Sequence, residues 1–241
     1  MIDIHTHILP YIDDGASDEL MSMTMLSILE KQEVSDVVLT PHFYSHMESL
    51  EDFIKKRKKC FDNFKNLYTG FINIYLGAEV YLTKYLNKYE DLKPLCINNS
   101  KYMLIELPLD STIDDKVLNI FDGIIYNHKI TPILAHIERY PFLYDGKLQR
   151  DLDFLRSMGC LIQVNIDQLT ISRRVRKVVL SLIKNGKVNF LGSDSHNLTT
   201  RPPVYKEGVK VIESKLGIEY LAPIWKYEKK LLDEIRPLKN I

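Results

Sequence analysis

Short, nearly continuous runs of Val, Ile and Leu alternate along this chain with longer stretches in which apolar residues recur at helical spacing. That alternation predicts repeated βα units around a parallel sheet, whose strands are apolar on both faces because helices cover them. Seven runs read as strands: Ile2–Leu9, Asp36–His42, Asn73–Tyr81, Tyr102–Leu107, Thr131–Ile137, Leu161–Ile166 and Val188–Asp194. Ser17 before Asp18 and Glu19, Ser49 before Asp52, and Thr112 before Asp115 are the expected helix starts, with acids at the positive end of the helix dipole. Apolar stripes follow, among them Phe53, Phe61, Phe64 and Tyr68, then Val117, Phe121, Ile124 and Ile125. A third, Val175 to Ile183, is closed by Gly186. Pro202 and Pro203 open a further expected helix. Seven strands alternating with helices predict a closed or nearly closed β/α barrel, with a doubly wound open sheet as the rival. In either, function belongs at the carboxyl ends of the strands.

Length adds that the 241 residues, 45% of them apolar, form one domain spanning 1–241. Charge narrows the partners: 32 basic and 32 acidic residues leave a formal net charge of zero, which gives no general attraction to nucleic acid or anionic lipid. Cys60, Cys96 and Cys160 are too few and too scattered for a disulfide framework, which favours a reducing cytoplasm. The first residues carry no basic segment followed by an apolar one, and no apolar run reaches the length of a membrane span, so the expected location is cytoplasmic.

The chemistry lies in where the polar residues interrupt the strands. Of the seven histidines, His5, His7, His42, His136 and His196 sit in or just after strand runs. Glu79, Glu106, Glu138 and Asp194 lie in the same apolar surroundings, where an unpaired carboxylate is costly. Alternate strand residues share a face, so the spacings of His5 with His7 and of Asp194 with His196 let each pair reach one ion. Each motif alone is a weak signal, more often met as exposed or core-satisfied histidines; together they point to metal binding. Mixed imidazole and carboxylate ligation favours Mn²⁺, Fe²⁺ or Zn²⁺. A hydroxide held between two divalent ions is a nucleophile at neutral pH, suited to phosphate ester hydrolysis. Arg139 and Arg201 stand beside the ligand motifs as phosphate clamps or, equally, as structural ion pairs.

These motifs, Asp3-Ile-His-Thr-His, Asp13-Asp-Gly, Thr40-Pro-His, Gly77-Ala-Glu, Ile105-Glu, Ala135-His-Ile-Glu-Arg-Tyr and Gly192-Ser-Asp-Ser-His-Asn with Arg201-Pro-Pro, resemble the polymerase and histidinol phosphatase (PHP) superfamily. More narrowly, they resemble the manganese-dependent tyrosine-protein phosphatases encoded with capsule and exopolysaccharide genes of Gram-positive bacteria. The resemblance implies a distorted seven-stranded, TIM-like β/α barrel and three divalent ions. His5, His7, Glu79 and Asp194 would hold one ion, Glu79, Glu106 and His136 a second, and Asp14, His42 and His196 a third. Arg139 and Arg201 would contact phosphate. It further implies phosphotyrosine hydrolysis by a metal-bound hydroxide, acting on the tyrosine-rich tail of a bacterial autokinase that controls polysaccharide export. Asp13 and Glu138 fall outside that ligand set and read as supporting acids. Asp3 either orients a histidine or begins its strand. His46 reads as an exposed loop residue or one flanking the cleft, and His128 as a packed or capping residue.

Two rivals stand beside this reading: a small-molecule phosphatase such as histidinol phosphatase, and a non-catalytic, metal-stabilised domain that binds a kinase. A PHP-type exonuclease is disfavoured by the absence of a basic groove. A thiol-dependent phosphatase is excluded, because the positions that would hold its phosphate-binding arginine after each cysteine are Asn66, Tyr102 and Ile166. Apolar helical faces leave room for an oligomer.

Overall fold

In a computed structural model that describes residues 1–141 and 148–236, the apolar runs become nine parallel strands. They are β1 (Ile2–Thr6), β2 (Asp36–Leu39), β3 (His42–Phe43), β4 (Asn73–Leu76), β5 (Glu79–Tyr81), β6 (Tyr102–Glu106), β7 (Thr131–Leu134), β8 (Leu161–Asn165) and β9 (Phe190–Gly192). All seven expected runs are occupied, but the expected count of seven uninterrupted strands is corrected. The second and third runs each break in two, at Thr40-Pro41 and at Gly77-Ala78. Pro41 has no N–H to donate, and a Cβ on Gly77 would press on Val38 and Thr40 at 3.0 and 3.1 Å. The breaks separate a three-stranded sheet, β1-β2-β4, from a six-stranded sheet, β3-β5-β6-β7-β8-β9. Backbone bonds persist across the gap, from Gly77 N to Leu39 O at 2.8 Å and from Glu79 N to Pro41 O at 3.1 Å. At the other end, Asp194 N donates to His5 O at 2.8 Å and His7 N to Ser195 O at 2.9 Å, which brings the chain's last run against its first.

The helices among the described residues are α1 (Glu19–Lys31), α2 (Leu50–Leu67), α3 (Asp115–Asp122), α4 (Leu148–Ser157), α5 (Gln168–Ile171), α6 (Arg173–Lys184), α7 (Lys206–Lys215) and α8 (Ala222–Ile235). Ser49 caps α2 as expected, but two starts move. Asp18 rather than Ser17 caps α1 by accepting from Met21 N, and Asp114 rather than Thr112 caps α3. A carboxylate is the stronger acceptor for the exposed N–H groups of a first turn. The pair Pro202-Pro203 precedes α7 without opening it, since the helix starts at Lys206. No helix of the described residues is long and apolar enough to cross a membrane.

Two apolar layers explain the unbroken apolar runs. Val37, Leu39, Val80, Met103, Ile105, Leu134, Ile162 and Leu191 pack outward with the helices. Ile2, Ile4, Val38, Tyr75, Leu104, Ile133 and Phe190 fill the inside, where Leu231 and Ile235 of α8 pack on them. One irregularity aims the site. The β1–β2 register slips between Asp3, opposite Val37, and Thr6, opposite Leu39. A bulge exchanges the faces of all residues beyond it. Ile2 and Ile4 therefore fill the interior, and His5 and His7 also turn inward, toward the carboxyl ends of the strands.

Candidate metal centre

Every histidine and acid that the sequence singles out as a ligand comes together at those carboxyl ends. His5 Nε2, His7 Nε2, Glu79 Oε2 and Asp194 Oδ1 form the innermost group. His5 Nε2 lies 3.3 Å from His7 Nε2, 3.3 Å from the glutamate oxygen and 3.5 Å from the aspartate oxygen. His7 Nε2 lies 3.2 and 3.4 Å from the same two oxygens. An ion with tetrahedral bonds of about 2.1 Å holds its ligand atoms about 3.4 Å apart, so the His5, His7 and Glu79 atoms fit one divalent ion, and Asp194 Oδ1 stands at the same spacing from both histidines. Glu79 Oε2 and Asp194 Oδ1 are buried without a hydrogen-bond donor, a costly state that a cation relieves. In a second group, His136 Nε2 lies 2.9 Å from Glu79 Oε1 and 3.5 Å from Glu106 Oε1. In a third, Asp14 Oδ1 stands 3.5 Å from His42 Nε2 and 3.5 Å from His196 Nε2, and His7 joins the cluster. Asp14 is the outermost donor, with its side chain 68% exposed.

The residues behind the donors fix their direction. His7 Nδ1–H donates to Asp13 Oδ2 at 2.8 Å, His196 Nδ1–H to the Asp194 carbonyl at 2.9 Å, and His5 Nδ1–H to Gln163 Oε1 at 3.3 Å. Tying Nδ1 to an oxygen leaves Nε2 as the lone pair facing the cage. Asp13 also accepts from His42 N and Gly15 N, so the turn that carries Asp14 is built on the same carboxylate. Only glycine fits at position 15, because a Cβ there would fall 2.0 Å from His7 O. Asp3 is fully buried and accepts from His5 N and Ser193 N, joining the two strands that bear the paired motifs. His136 and Asp194 adopt positive φ, 31° and 53°, an unfavourable conformation at non-glycine residues that is characteristic of functional sites.

Arg139 and Arg201 both donate to Asp194 Oδ2, at 2.6 and 2.7 Å, while Asn165 Nδ2 donates to it at 2.8 Å. Three donors on Oδ2 leave Oδ1 to face the cage. Each arginine side chain is 33% exposed and has further N–H groups beyond the one used. Gln163 and Asn165, which sequence reasoning passed over, prove central. Gln163 Oε1 accepts from His136 N at 2.7 Å as well as from His5, and its Nε2 donates to Asn165 Oδ1 at 3.0 Å. The signal was present: two amides at alternate positions of an otherwise apolar strand. Glu138 accepts from Asn165 N, as a supporting acid would. His128 is half-buried and ends the turn after α3. His46 is exposed yet stands 5.9 Å, ring to ring, from both Tyr44 and Tyr81 beside the cage.

Electrostatics follow from this crowding. Burial lowers the basicity of His7, but the Asp13 carboxylate and the close oxygens of Asp194 and Glu79 outweigh it and hold the imidazole well above its ordinary range. For His136 burial is likewise overcome, by Glu106 and Glu79, and its pKa rises to about 9. His196 moves the other way, to about 2, through burial and the neighbouring charge of His7. The cage without ions thus holds protons where cations fit.

A parallel α/β protein with imidazole and carboxylate clusters converging at its strand ends, beside two arginines, belongs to the class built around a multidonor metal-type centre. More narrowly, the chain belongs to the family described as capsular polysaccharide synthesis, CpsB/CapC, whose family model matches residues 1–232. It is 31% identical over 228 residues to the tyrosine-protein phosphatase CpsB of Streptococcus agalactiae, covering 91% of this chain and 92% of that one. With the tyrosine-protein phosphatase YwqE of Bacillus subtilis it shares 28% identity over 229 residues, covering 91% and 86%. A solved structure, described under YwqE from Bacillus subtilis and CpsB from Streptococcus pneumoniae as metal-dependent tyrosine phosphatases, matches with a TM-score of 0.81 and 26% identity. That match covers 98% of this chain and 94% of the other.

Proposed function

We propose that this chain is a metal-dependent protein-tyrosine phosphatase, a phosphoric monoester hydrolase whose site is the cage of His5, His7, Asp14, His42, Glu79, Glu106, His136, Asp194 and His196. The observation that carries the reading is the shared carboxylate of Asp194, with one oxygen in the cage and the other under both arginines. It ties a cation site to an anion clamp within the span of one side chain. Three divalent ions, Mn²⁺ by family resemblance with Fe²⁺ or Zn²⁺ also compatible with the donors, would activate a water for attack and neutralise phosphoryl oxygens. Arg139 and Arg201 bind the nonbridging oxygens with the N–H groups that Asp194 leaves free. Tyrosine's phenol leaves as a comparatively weak base, pKa about 10, so the site needs no strong general acid. The strand pairings and the closing bonds at His5 and His7 support a distorted seven-run barrel, each broken run counting once, within a single domain 1–241. The substrate we infer is the tyrosine-rich tail of a bacterial autokinase, and the setting cytoplasmic capsule or exopolysaccharide synthesis.

The test compares turnover of a phosphotyrosine peptide with that of histidinol phosphate by the Mn²⁺-loaded protein. Preference for the peptide is expected, and clear preference for histidinol phosphate overturns the assignment. A His136→Ala variant is expected to lose turnover. Metal-bearing protein whose rate is unchanged by that substitution would instead be a binding domain.

A further inference from the structure

Tyr44 and Tyr81 lie at the mouth of the cage, and their position follows from strand geometry. β3 and β5 pair in parallel with His42 opposite Glu79 and Phe43 opposite Val80. Alternate residues share a face, so the register that points His42 and Glu79 into the cage places Tyr44 and Tyr81 on the same side, about 6.6 Å further along the strands. The ring contacts agree. The His42 ring is 4.4 Å from His7 and 5.2 Å from Tyr44, and Tyr44 is 5.4 Å from Tyr81. His46 completes the group at 5.9 Å from each tyrosine. A continuous aromatic wall therefore climbs from a cage histidine toward solvent. Both tyrosines are only half-buried, so part of each ring stays open at the mouth of the cage.

We propose that Tyr44 and Tyr81, flanked by His46, form an aryl-recognition wall that selects phosphate esters of phenols over those of aliphatic alcohols. This rests on the phosphatase reading above. A phosphoryl group held at the cage and the arginines carries its ester ring one P–O–C linkage away, outward along this wall. There, stacked or edge-on contact with the tyrosine rings is available to a phenyl ring and denied to an alkyl chain.

The experiment uses the full chain loaded with Mn²⁺ and two non-hydrolysable probes, phenylphosphonate and methylphosphonate, with calorimetric dissociation constants. Metal content per chain is measured alongside. Wild type is expected to prefer the phenyl probe, and Tyr44→Leu and Tyr81→Leu, which keep apolar volume but remove the ring, each to reduce that preference about 5-fold. Tyr44→Phe and Tyr81→Phe are expected to keep it. An unchanged ratio in the leucine variants, or equal weakening of both probes, overturns the proposal; if those variants do not fold, loss of the preference in a phenylalanine variant does so as well. Phosphonate preference in a protein that fails to hydrolyse a phosphotyrosine peptide would leave the wall standing while the phosphatase reading falls.

Discussion

Removing the ions should make the fold sensitive to alkali, because protons hold the metal-free cage together. His136 lies between Glu79 and Glu106, and its folded pKa of about 9 exceeds the ordinary 6.5. A group raised on folding contributes stability below its unfolded pKa and loses it as pH climbs through the folded one. The difference of about 2.5 pH units corresponds to roughly 3 kcal/mol at 1.36 kcal/mol per unit, lost by the stripped protein between pH 6.5 and 9. An ion must displace that proton. At pH 7, about 2 pH units below the folded value, the cost is about 3 kcal/mol, on the order of 100-fold in affinity. His7 is raised as well, so affinity should climb by one to two decades per pH unit between pH 6.5 and 9.

Mn²⁺ titration calorimetry in buffers of different ionisation enthalpy counts the protons released, and thermal melts with and without chelator at pH 6.5 and 8.5 read the stability. The informative quantity is the difference between loaded and stripped protein at each pH. Glu228, which sits on α8 at the opposite end of the strands, also titrates near 7 but contributes to both forms. Affinity that is flat with pH and accompanied by no proton release would refute the reasoning, since the ions would then bind somewhere other than between these histidines and carboxylates.

Three further outcomes follow from single contacts. Asp13→Asn retains the shape but weakens the acceptor for His7 Nδ1–H, and should lower metal affinity 10- to 100-fold, roughly, in the same titration; it should also lower the melting temperature of the stripped protein, where the protonated His7 loses its carboxylate partner. Gly192→Ala puts a Cβ 2.6 Å from His5 Cβ and 2.8 Å from Gln163 Nε2, and should cost about 1–3 kcal/mol in denaturant unfolding together with lost metal affinity. Blocking thiols with iodoacetamide should leave turnover unchanged, because burial pushes the Cys96 and Cys160 thiols up to about 12 and no arginine stands where a thiol mechanism needs one; inactivation would reopen that mechanism.

Much of the site was legible because strands impose a period of two, so His5 with His7 and Asp194 with His196 could be paired from spacing alone. The face they occupy was not. Strict alternation places His5 on the same face as Asp3 and opposite Ile4, and only the one-residue slip between Asp3 and Thr6 brings histidines and interior apolar residues to the same side. A bulge arises from pairing with a neighbouring strand, which no local pattern records. The same holds for the breaks at Pro41 and Gly77, which turn two runs into four strands, and for Gln163, whose two histidine contacts cross 158 and 27 residues of chain. Donor identity is thus written locally, while donor direction depends on long-range register and on amides that resemble ordinary strand polar residues. For that reason a substitution at Gln163 should disturb both His5 and the backbone of His136 at once, although neither sequence spacing nor charge marks it as part of the centre.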